Sequence, residues 1–244
     1  MYSLSGSISS REYFIPDVTN TLTIGTRLGQ DSYGTQSVVY KGLLTSNEVA
    51  VKIFRKNDDH FLQELKRYES LFKNGFPLNK ICSPIGYSNG KLIFPLMEGD
   101  LFNDVHDDLS VQTVENIFSI AKSIRTLHRA NIAHCDIKLE NLLYNAKGEI
   151  KIGDFGGSKI PGFKAKSITF IPWDIEEIRS FSKEWMKYLD SSADIWAFGN
   201  IIFQYLFKST LNQNFKIGKQ VNCDDLYKLT KFYNYNVCDK TVQF

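Results

Sequence analysis

The chain has 244 residues, of which 43% are hydrophobic and 23% are charged, a composition typical of a globular protein with a sizeable core. Its 29 lysines and arginines nearly balance 27 aspartates and glutamates, and a net charge of +2 argues against a nucleic-acid or polybasic membrane binder. The four cysteines form no C-x-x-C pair, which argues against a zinc cage or a disulfide framework. No apolar run approaches the roughly 18 residues of a membrane span, and the N-terminus lacks the pattern of a signal peptide. These features predict a cytoplasmic protein without a nucleic-acid or membrane partner.

Strand patterns fill much of the first third of the chain. Residues 1–20 contain many Ser, Thr and Asn and show no hydrophobic period, so a flexible arm is predicted there. The stretches 37–44 and 47–54 are rich in β-branched and aromatic residues, with turn residues between them, and predict an antiparallel strand pair. A further strand is predicted over residues 91–97.

One helix is predicted within this strand-rich region, from His60 to Lys73. Its apolar side chains recur at helical spacing and leave Glu64 and Arg67 off the apolar stripe. The members of that stripe are Phe61, Leu62, Leu65, Tyr68, Leu71 and Phe72.

Beyond Gly99 the hydrophobic period becomes helical. One long helix is predicted with Ser110 as its N-cap, and a second helix, apolar on nearly all sides, is predicted over residues 192–207. The apolar face of the first is formed by Val111, Val114, Ile117, Phe118, Ala121, Ile124 and Leu127.

These patterns together predict an α+β protein of two lobes. The strand-rich lobe is expected over residues 21–98 and the helical lobe over residues 99–244, with a hinge near Pro95 to Gly99. The cleft between two lobes is the expected ligand site.

Two short segments carry polar residues in a pattern that suggests chemistry: HCDIKLENLL at 134–143 and KIGDFGG at 151–157. The first places Asp136, Lys138 and Asn141 in one loop, and a hairpin predicted around Gly148 brings Asp154 back toward that loop. Phosphoryl transfer needs such a set, because divalent cations must neutralise the phosphate charge while a separate carboxylate orients the attacking hydroxyl.

These segments resemble the catalytic loop H-R-D-x-K-x-x-N and the D-F-G motif of the eukaryotic-type protein kinases. VAVK, which ends at Lys52, resembles the lysine motif of the family's third strand, and Glu64 stands 12 residues later on the predicted helix. Glu69 is a competing candidate, although FLQEL matches the usual start of that helix better. SADIWAFG, residues 192–199, resembles the stretch that opens a buried helix, in which Asp194 would brace the catalytic loop. The resemblance runs from about residue 25 to residue 207.

The resemblance implies ATP and Mg²⁺ as cofactors and a role for each residue of the loop. Asp136 would orient the substrate hydroxyl, and Lys138 would stabilise the moving phosphoryl group. Asn141 and Asp154 would hold the metal ions.

Further residues are implied in ATP binding. Lys52, held by Glu64, would position the phosphates. Adenine needs an apolar slot with a backbone edge to bond. The residues assigned to that slot by resemblance are Val39 and Ala50 as its roof, Leu143 as its floor, Phe94 at the back and Met97 at the hinge.

The glycine-rich loop of the family is worn here, since GQDSYGTQSVVY can be aligned in two ways. Without a gap, only the middle glycine position is kept, as Gly34. With a short insertion before Val38, Gly29 and Gly34 are the outer glycines and Asp31 replaces the middle one. The gap-free alignment is preferred, because Asp31 would repel the phosphates where the backbone approaches them most closely. Gly34 is therefore assigned to ATP binding, with an ordinary tight hairpin as the alternative.

Two departures affect the segment after D-F-G. Cys135 stands where many of these kinases have an arginine that pairs with a phosphorylated residue, so activity is predicted not to require phosphorylation through that contact. Ser167 remains available for modification. A buried structural thiol is expected at Cys135 rather than a reactive one. The usual A-P-E ending is degraded before Glu176, which Thr169 precedes at the family spacing.

The predicted function is ATP-dependent phosphorylation of serine or threonine on protein substrates, with the Ser/Thr preference implied by Lys138. A pseudokinase that binds nucleotide or a partner is the alternative, favoured by the worn loop, the altered A-P-E region and the short stretch of 45 residues after Gly199. A small-molecule phosphotransferase would share H-x-D-x-x-x-x-N, but the D-F-G and D-I-W-A-F-G strings resemble protein kinases. The prediction is a minimal kinase with an abbreviated C-lobe, in the cytoplasm or, if viral, in the host cytoplasm.

Overall fold

The structure, a computed structural model, describes residues 15–28, 37–55, 58–103, 111–166 and 189–207. Across these residues the chain forms an antiparallel sheet of five strands, a second sheet of three strands and three α-helices. The α+β fold class predicted from the sequence is confirmed. Within the described ranges, no helix combines the length and the apolar character needed to cross a membrane.

The first sheet holds the strands predicted in the first third of the chain. Its strands are β1 Leu22–Leu28, β2 Ser37–Leu44, β3 Asn47–Phe54, β4 Gly86–Ser88 and β5 Lys91–Pro95. They lie in the order β1-β2-β3-β5-β4. The predicted pair forms the β2–β3 hairpin, in which Leu44 lies opposite Asn47 and Thr45 has a φ of 60°. Such left-handed backbone suits a two-residue hairpin turn.

The register of this sheet gathers several predicted ATP-binding residues on one face. Lys52 lies opposite Val39 on β2, and Ala50 lies opposite Phe94 on β5. Directly opposed residues of antiparallel strands share a face, as do alternate residues along one strand, so all four side chains lie on the same face. The other face carries a separate small core of Val49, Val51 and Ile93.

Helix α1, Asp58–Lys73, has a buried face that differs from the predicted stripe. Leu62 is 42% exposed, whereas Glu64 and Arg67 are only 4% and 1% exposed. The prediction that Glu64 and Arg67 lie off the buried face was wrong, because a hydropathy pattern counts them as polar, whereas hydrogen-bonded partners allow both to be buried. The other buried positions agree with the prediction: Phe61, Leu65, Tyr68, Leu71 and Phe72.

The second sheet consists of β6 Gly99–Asp100, β7 Leu142–Tyr144 and β8 Ile150–Ile152, in that order. β7 and β8 form the predicted hairpin, and Gly148 in its turn has a φ of +73°, which favours glycine. Residues 96–98 connect the two sheets. The strand predicted to reach Met97 ends at Pro95, because the chain then turns to the second sheet, where the amide of Glu98 donates to the carbonyl of Tyr144 at 2.9 Å.

The remaining helices are α2 Val111–Arg129 and α3 Ser191–Phe207. The buried face of α2 is rotated from the predicted one, since Val114 and Phe118 are exposed and Ile120 is buried. Ile124 and Leu127 of the predicted face are buried and Ile117 packs against the core, so the helical period and part of the face were correct, while Thr113 and Ile120 are buried in place of Val114 and Phe118. On α3, Ile195 is exposed and Ile201 is buried.

Residues 15–20, assigned to the flexible arm, lie against the first sheet. Ile15 is 1% exposed and belongs to the main core. The backbone of Tyr87 on β4 accepts a hydrogen bond from the amide of Val18 and donates one to the carbonyl of Pro16, both at 2.9 Å. This part of the arm departs from the prediction, because so short a segment shows no hydrophobic period. Residues 1–14 lie outside the described ranges.

Candidate active site

Lys52 on β3 lies at the centre of the predicted site. Its Nζ is 2.8 Å from both carboxylate oxygens of Glu64 on α1 and 3.0 Å from Oδ1 of Asp154, which follows β8. The helix residue that pairs with Lys52 is therefore Glu64 and not Glu69. One side chain thus joins the first sheet, α1 and the segment that leaves the second sheet.

The charges of this cluster depend on one another. Burial alone would lower the pKa of Lys52, but the carboxylates of Asp154 and Glu64 outweigh burial and raise it. Partial desolvation would raise the pKa of Asp154, but Lys52 lowers it to about 2. Burial raises the pKa of Glu64, and Lys52 opposes that rise. Lys52 and Asp154 are therefore charged near neutral pH, and Glu64 depends on Lys52 for its charged form.

The loop 134–143 brings three of the predicted residues into contact. Nδ2 of Asn141 donates to the backbone carbonyl of Asp136 at 2.8 Å and to its Oδ2 at 3.3 Å. Nζ of Lys138 lies 3.2 Å from the same Oδ2. A 3₁₀ turn over Leu139–Asn141 folds the loop back, which allows residues five apart to meet. The Asp136 carboxylate is therefore held by an amide and an ammonium group.

The backbone around Asp154 fixes the direction of its carboxylate. Asp154 has left-handed dihedral angles, φ 56° and ψ 75°, and its Oδ1 accepts the amide of Gly156 at 3.3 Å. The amide of Gly153 donates to the carbonyl of Asn141 at 2.8 Å, which joins this segment to the loop. A Cβ at Gly156 would lie 2.7 Å from Oε2 of Glu64, so a larger residue there would displace the carboxylate that pairs with Lys52. The Asp154 side chain remains 46% exposed and open to a ligand.

Asp194 in the first turn of α3 is fully buried and supports the loop from below. Its Oδ2 accepts the amide of His134 at 2.8 Å, and its Oδ1 accepts the amide of Cys135 at 2.7 Å. Nε2 of His128 lies 2.9 Å from Oδ2. Cys135 has a φ of 64°, a conformation that these bonds stabilise. The brace that the resemblance implied for Asp194 is present.

His134 packs inside the site and is fully buried. Its Nε2 lies 2.8 Å from the carbonyl of Gly153, and its Nδ1 accepts the amide of Asp136 at 3.3 Å. Nε2 is accordingly assigned the proton. The imidazole contacts the ring of Phe155 edge-on at 4.8 Å, and Phe155 lies 5.7 Å from the ring of Tyr68 on α1. The loop and α1 are therefore joined through an aromatic column.

Sequence reasoning missed two residues of α1 that lie beside the site, Arg67 and Tyr68. Arg67 donates to backbone carbonyls of the segment after Asp154, and Tyr68 packs on Phe155. The signal that could have found them is their spacing, because positions three and four residues after Glu64 share its face of the helix.

The residues assigned to the adenine slot are half-buried: Val39, Ala50, Phe94, Met97 and Leu143. Leu143 also borders the segment before Asp154, since a Cβ at Gly153 would lie 3.1 Å from its Cδ1. Half-buried apolar side chains around Lys52 fit a slot that a planar ligand covers. Other positions of interest lie outside the described residues: Gly29, Asp31, Gly34, Ser110, Ser167, Thr169 and Glu176.

The amino-acid sequence also matches known protein families and relatives. The family model of the protein kinase domain matches residues 22–243. Serine/threonine-protein kinase dst2 of Dictyostelium discoideum is 30% identical over 186 residues, 70% of this chain and 16% of that protein. Aurora kinase of the same organism is 28% identical over 217 residues, 82% of this chain and 53% of that protein. Serine/threonine-protein kinase SBK1 of Danio rerio is 26% identical over 213 residues, 82% of this chain and 54% of that protein. The chain thus spans about half the length of two of these relatives and far less of the third.

Proposed function

The chain belongs to the protein kinase family, and from that membership we propose that it transfers the γ-phosphoryl group of ATP to serine or threonine hydroxyls of protein substrates. One observation carries the proposal: Lys52 is bonded at once to Glu64 at 2.8 Å and to Asp154 at 3.0 Å. This contact supports the roles proposed for Lys52 with the phosphates and for Asp154 with the metal.

Asp136 and Lys138 serve the transfer itself. Asp136 accepts a hydrogen bond from the substrate hydroxyl and orients it, since its carboxylate is held by Asn141 and Lys138. Lys138 stabilises the negative charge of the moving phosphoryl group from the same loop. Both groups are preorganised, so little rearrangement is needed when a substrate binds.

Asn141 and Asp154 fit a magnesium ion, because their side chains supply the oxygen ligands that Mg²⁺ prefers. Asn141 uses Nδ2 toward Asp136, which leaves its Oδ1 as the ligand atom. Partial desolvation would raise the pKa of Asp154, but Lys52 lowers it to about 2, which keeps the carboxylate ionised. Bound Mg²⁺ would neutralise the charge of the ATP phosphates.

The preference for serine and threonine rests on Lys138, two residues after Asp136, and on the names of the relatives. Cytoplasmic substrates are consistent with Cys82 and Cys135, which are both free thiols.

The proposal is tested by measuring transfer of labelled γ-phosphate to a generic basic protein. Asp154→Asn removes the charge while keeping the shape, and we expect it to lower transfer by about a thousandfold or more. Circular dichroism checks that the variant is folded. Glu115→Gln is the matched control, because Glu115 is an exposed carboxylate on α2.

Two results would contradict the proposal. Undiminished transfer by Asp154→Asn would remove Asp154 from the reaction. Thermal stabilisation of the wild type by Mg²⁺ and ATP, with no transfer to any substrate or to itself, would support the pseudokinase instead.

A further inference from the structure

Arg67 is a buried cation on α1, and within the described residues its hydrogen bonds go to backbone carbonyls. It is 1% exposed. Its Nε donates to the carbonyl of Ser158 at 3.2 Å, and its Nη2 donates to the carbonyl of Lys164 at 3.1 Å. Its Nη1 donates within α1, to the carbonyl of Gln63 at 3.4 Å. The guanidinium carbon lies 5.1 Å from the centre of the Phe163 ring.

The two carbonyls belong to opposite ends of one tight turn, residues 158–164, hereafter the 158–164 turn. Ile160 and Phe163 exchange backbone hydrogen bonds at 3.2 and 2.8 Å, and Gly162 between them has a φ of +85°. Proline followed by glycine is the sequence that such a turn favours. Because a guanidinium is a planar fork, Arg67 can fasten both ends of the turn at once.

The 158–164 turn is connected both to Asp154 and to the loop 134–143. It begins four residues after Asp154, and its Lys159 exchanges two backbone hydrogen bonds of 2.9 Å with Ala133, the residue before the loop 134–143. Arg67 itself stands three residues after Glu64, on the same face of α1. A displacement of the turn would therefore reach Asp154, the loop and the Lys52–Glu64 pair.

We propose that Arg67 is a positioning residue of this kinase, which links α1 to the 158–164 turn through backbone carbonyls and so holds Glu64 and Asp154 together. The inference rests on the proposed function. Cys135 stands where a phosphate-binding arginine is common in the family, and its buried thiol bonds the carbonyl of Ala133 at 3.6 Å. Arg67 binds backbone carbonyls of the 158–164 turn, and these carbonyls are present in every phosphorylation state.

The main variant is Arg67→Met, which keeps the length of the side chain and removes its donors. We expect kcat to fall roughly ten- to a hundredfold, because the catalytic groups are misaligned. The KM for ATP should change much less, since the residues of the adenine slot lie on β2, β3, β5, β7 and the residues 96–98. Arg125→Met is the matched control, because Arg125 is an exposed arginine in the second half of α2.

A second measurement, amide hydrogen exchange, needs no catalysis. In Arg67→Met we expect faster exchange at Phe163 and Lys166, whose amides donate to Ile160 and Gly157 at 2.8 Å, while the control exchanges as wild type. If the wild type transfers no phosphate, the proposed function fails while the exchange data still decide whether Arg67 holds the turn.

Two outcomes would overturn the proposal. One is wild-type exchange of the 158–164 turn in Arg67→Met. The other is a loss of kcat fully explained by the fraction of unfolded protein, which is what a merely structural role would give. If Arg67→Met does not fold, Arg67→Lys replaces it, because lysine keeps the charge without the fork. An intermediate loss of kcat then supports the proposal, and wild-type kcat and exchange overturn it.

Discussion

The thiols of Cys82 and Cys135 are buried, with 4% and 2% of each residue exposed. Burial raises the pKa of both thiols to about 12, and the carboxylate of Asp194 adds to this effect at Cys135. The thiolate is the reactive form, so both residues are inert near neutral pH. The burial predicted for Cys135 is confirmed, and its place in the loop reflects packing and not chemistry.

We expect iodoacetamide at pH 8 to alkylate Cys82 and Cys135 in the native protein about a thousandfold more slowly than in the unfolded chain, since far less thiolate is present. Mass spectrometry of the peptides identifies each site separately. Alkylation of native Cys135 at the rate of the unfolded chain would contradict the tight loop described above.

Asp194 and Arg67 differ in how far the sequence reveals them. Asp194 lies in a string that resembles a family motif, so its contacts with His134 and Cys135 could be expected from the resemblance. Arg67 belongs to no such motif, and a hydropathy pattern treats it as a surface residue. Its burial depends on carbonyls 91 and 97 residues away along the chain, which no local pattern contains.

At the scale of elements, α1 is held in place from more than one side. Lys52 fixes Glu64 from β3, and Arg67 fastens the helix to the 158–164 turn. Phe61 packs on Tyr87 of β4 at 6.1 Å, and β4 is in turn bonded to the segment 15–18. The N-terminal segment therefore adds to the support of the helix that carries Glu64.

Ile15 allows this support to be measured. We expect Ile15→Ala to lower the free energy of unfolding by about 3 kcal/mol, because a fully buried side chain leaves a cavity in the main core. Urea denaturation gives the value. Ile85→Ala is the matched control, since Ile85 is 42% exposed and close to β4 in sequence, and it should change stability by less than about 1 kcal/mol.

Equal effects of the two substitutions would show that Ile15 is not part of the core in solution, and the predicted flexible arm would then extend through it. A loss confined to Ile15→Ala would place the end of that arm before this residue.

At the scale of the whole molecule, local contacts were predictable and distant ones were not. The β2–β3 hairpin, the β7–β8 hairpin and α1 each arise from patterns within 20 residues or fewer, and all three were predicted close to their observed bounds. The pairing of residues 15–18 with Tyr87 joins segments about 70 residues apart, and periodicity carries no information about it. For the site, the family resemblance identified the residues that meet at Lys52. The link from Arg67 to the 158–164 turn is visible only in the structure.

The contacts that assemble the proposed site also predict whether phosphorylation is needed for activity. The proposed site is assembled from Lys52, Glu64 and Asp154, and within the described part of the chain Arg67 binds the 158–164 turn through backbone carbonyls. Cys135 carries no charge with which to bind a phosphate. A kinase built in this way should be active without phosphorylation of the segment that follows.

We therefore expect phosphatase treatment to leave the transfer rate of the wild type unchanged within about twofold, well below the many-fold change typical of a phosphate-dependent switch. Intact mass spectrometry verifies that the phosphate has been removed, and Asp154→Asn gives the background of the assay. A fall of tenfold or more that is reversed by rephosphorylation would show that a phosphate contributes to the assembly of the site. Arg67 would then act together with that phosphate, because its bonds to the carbonyls of Ser158 and Lys164 would not be sufficient on their own.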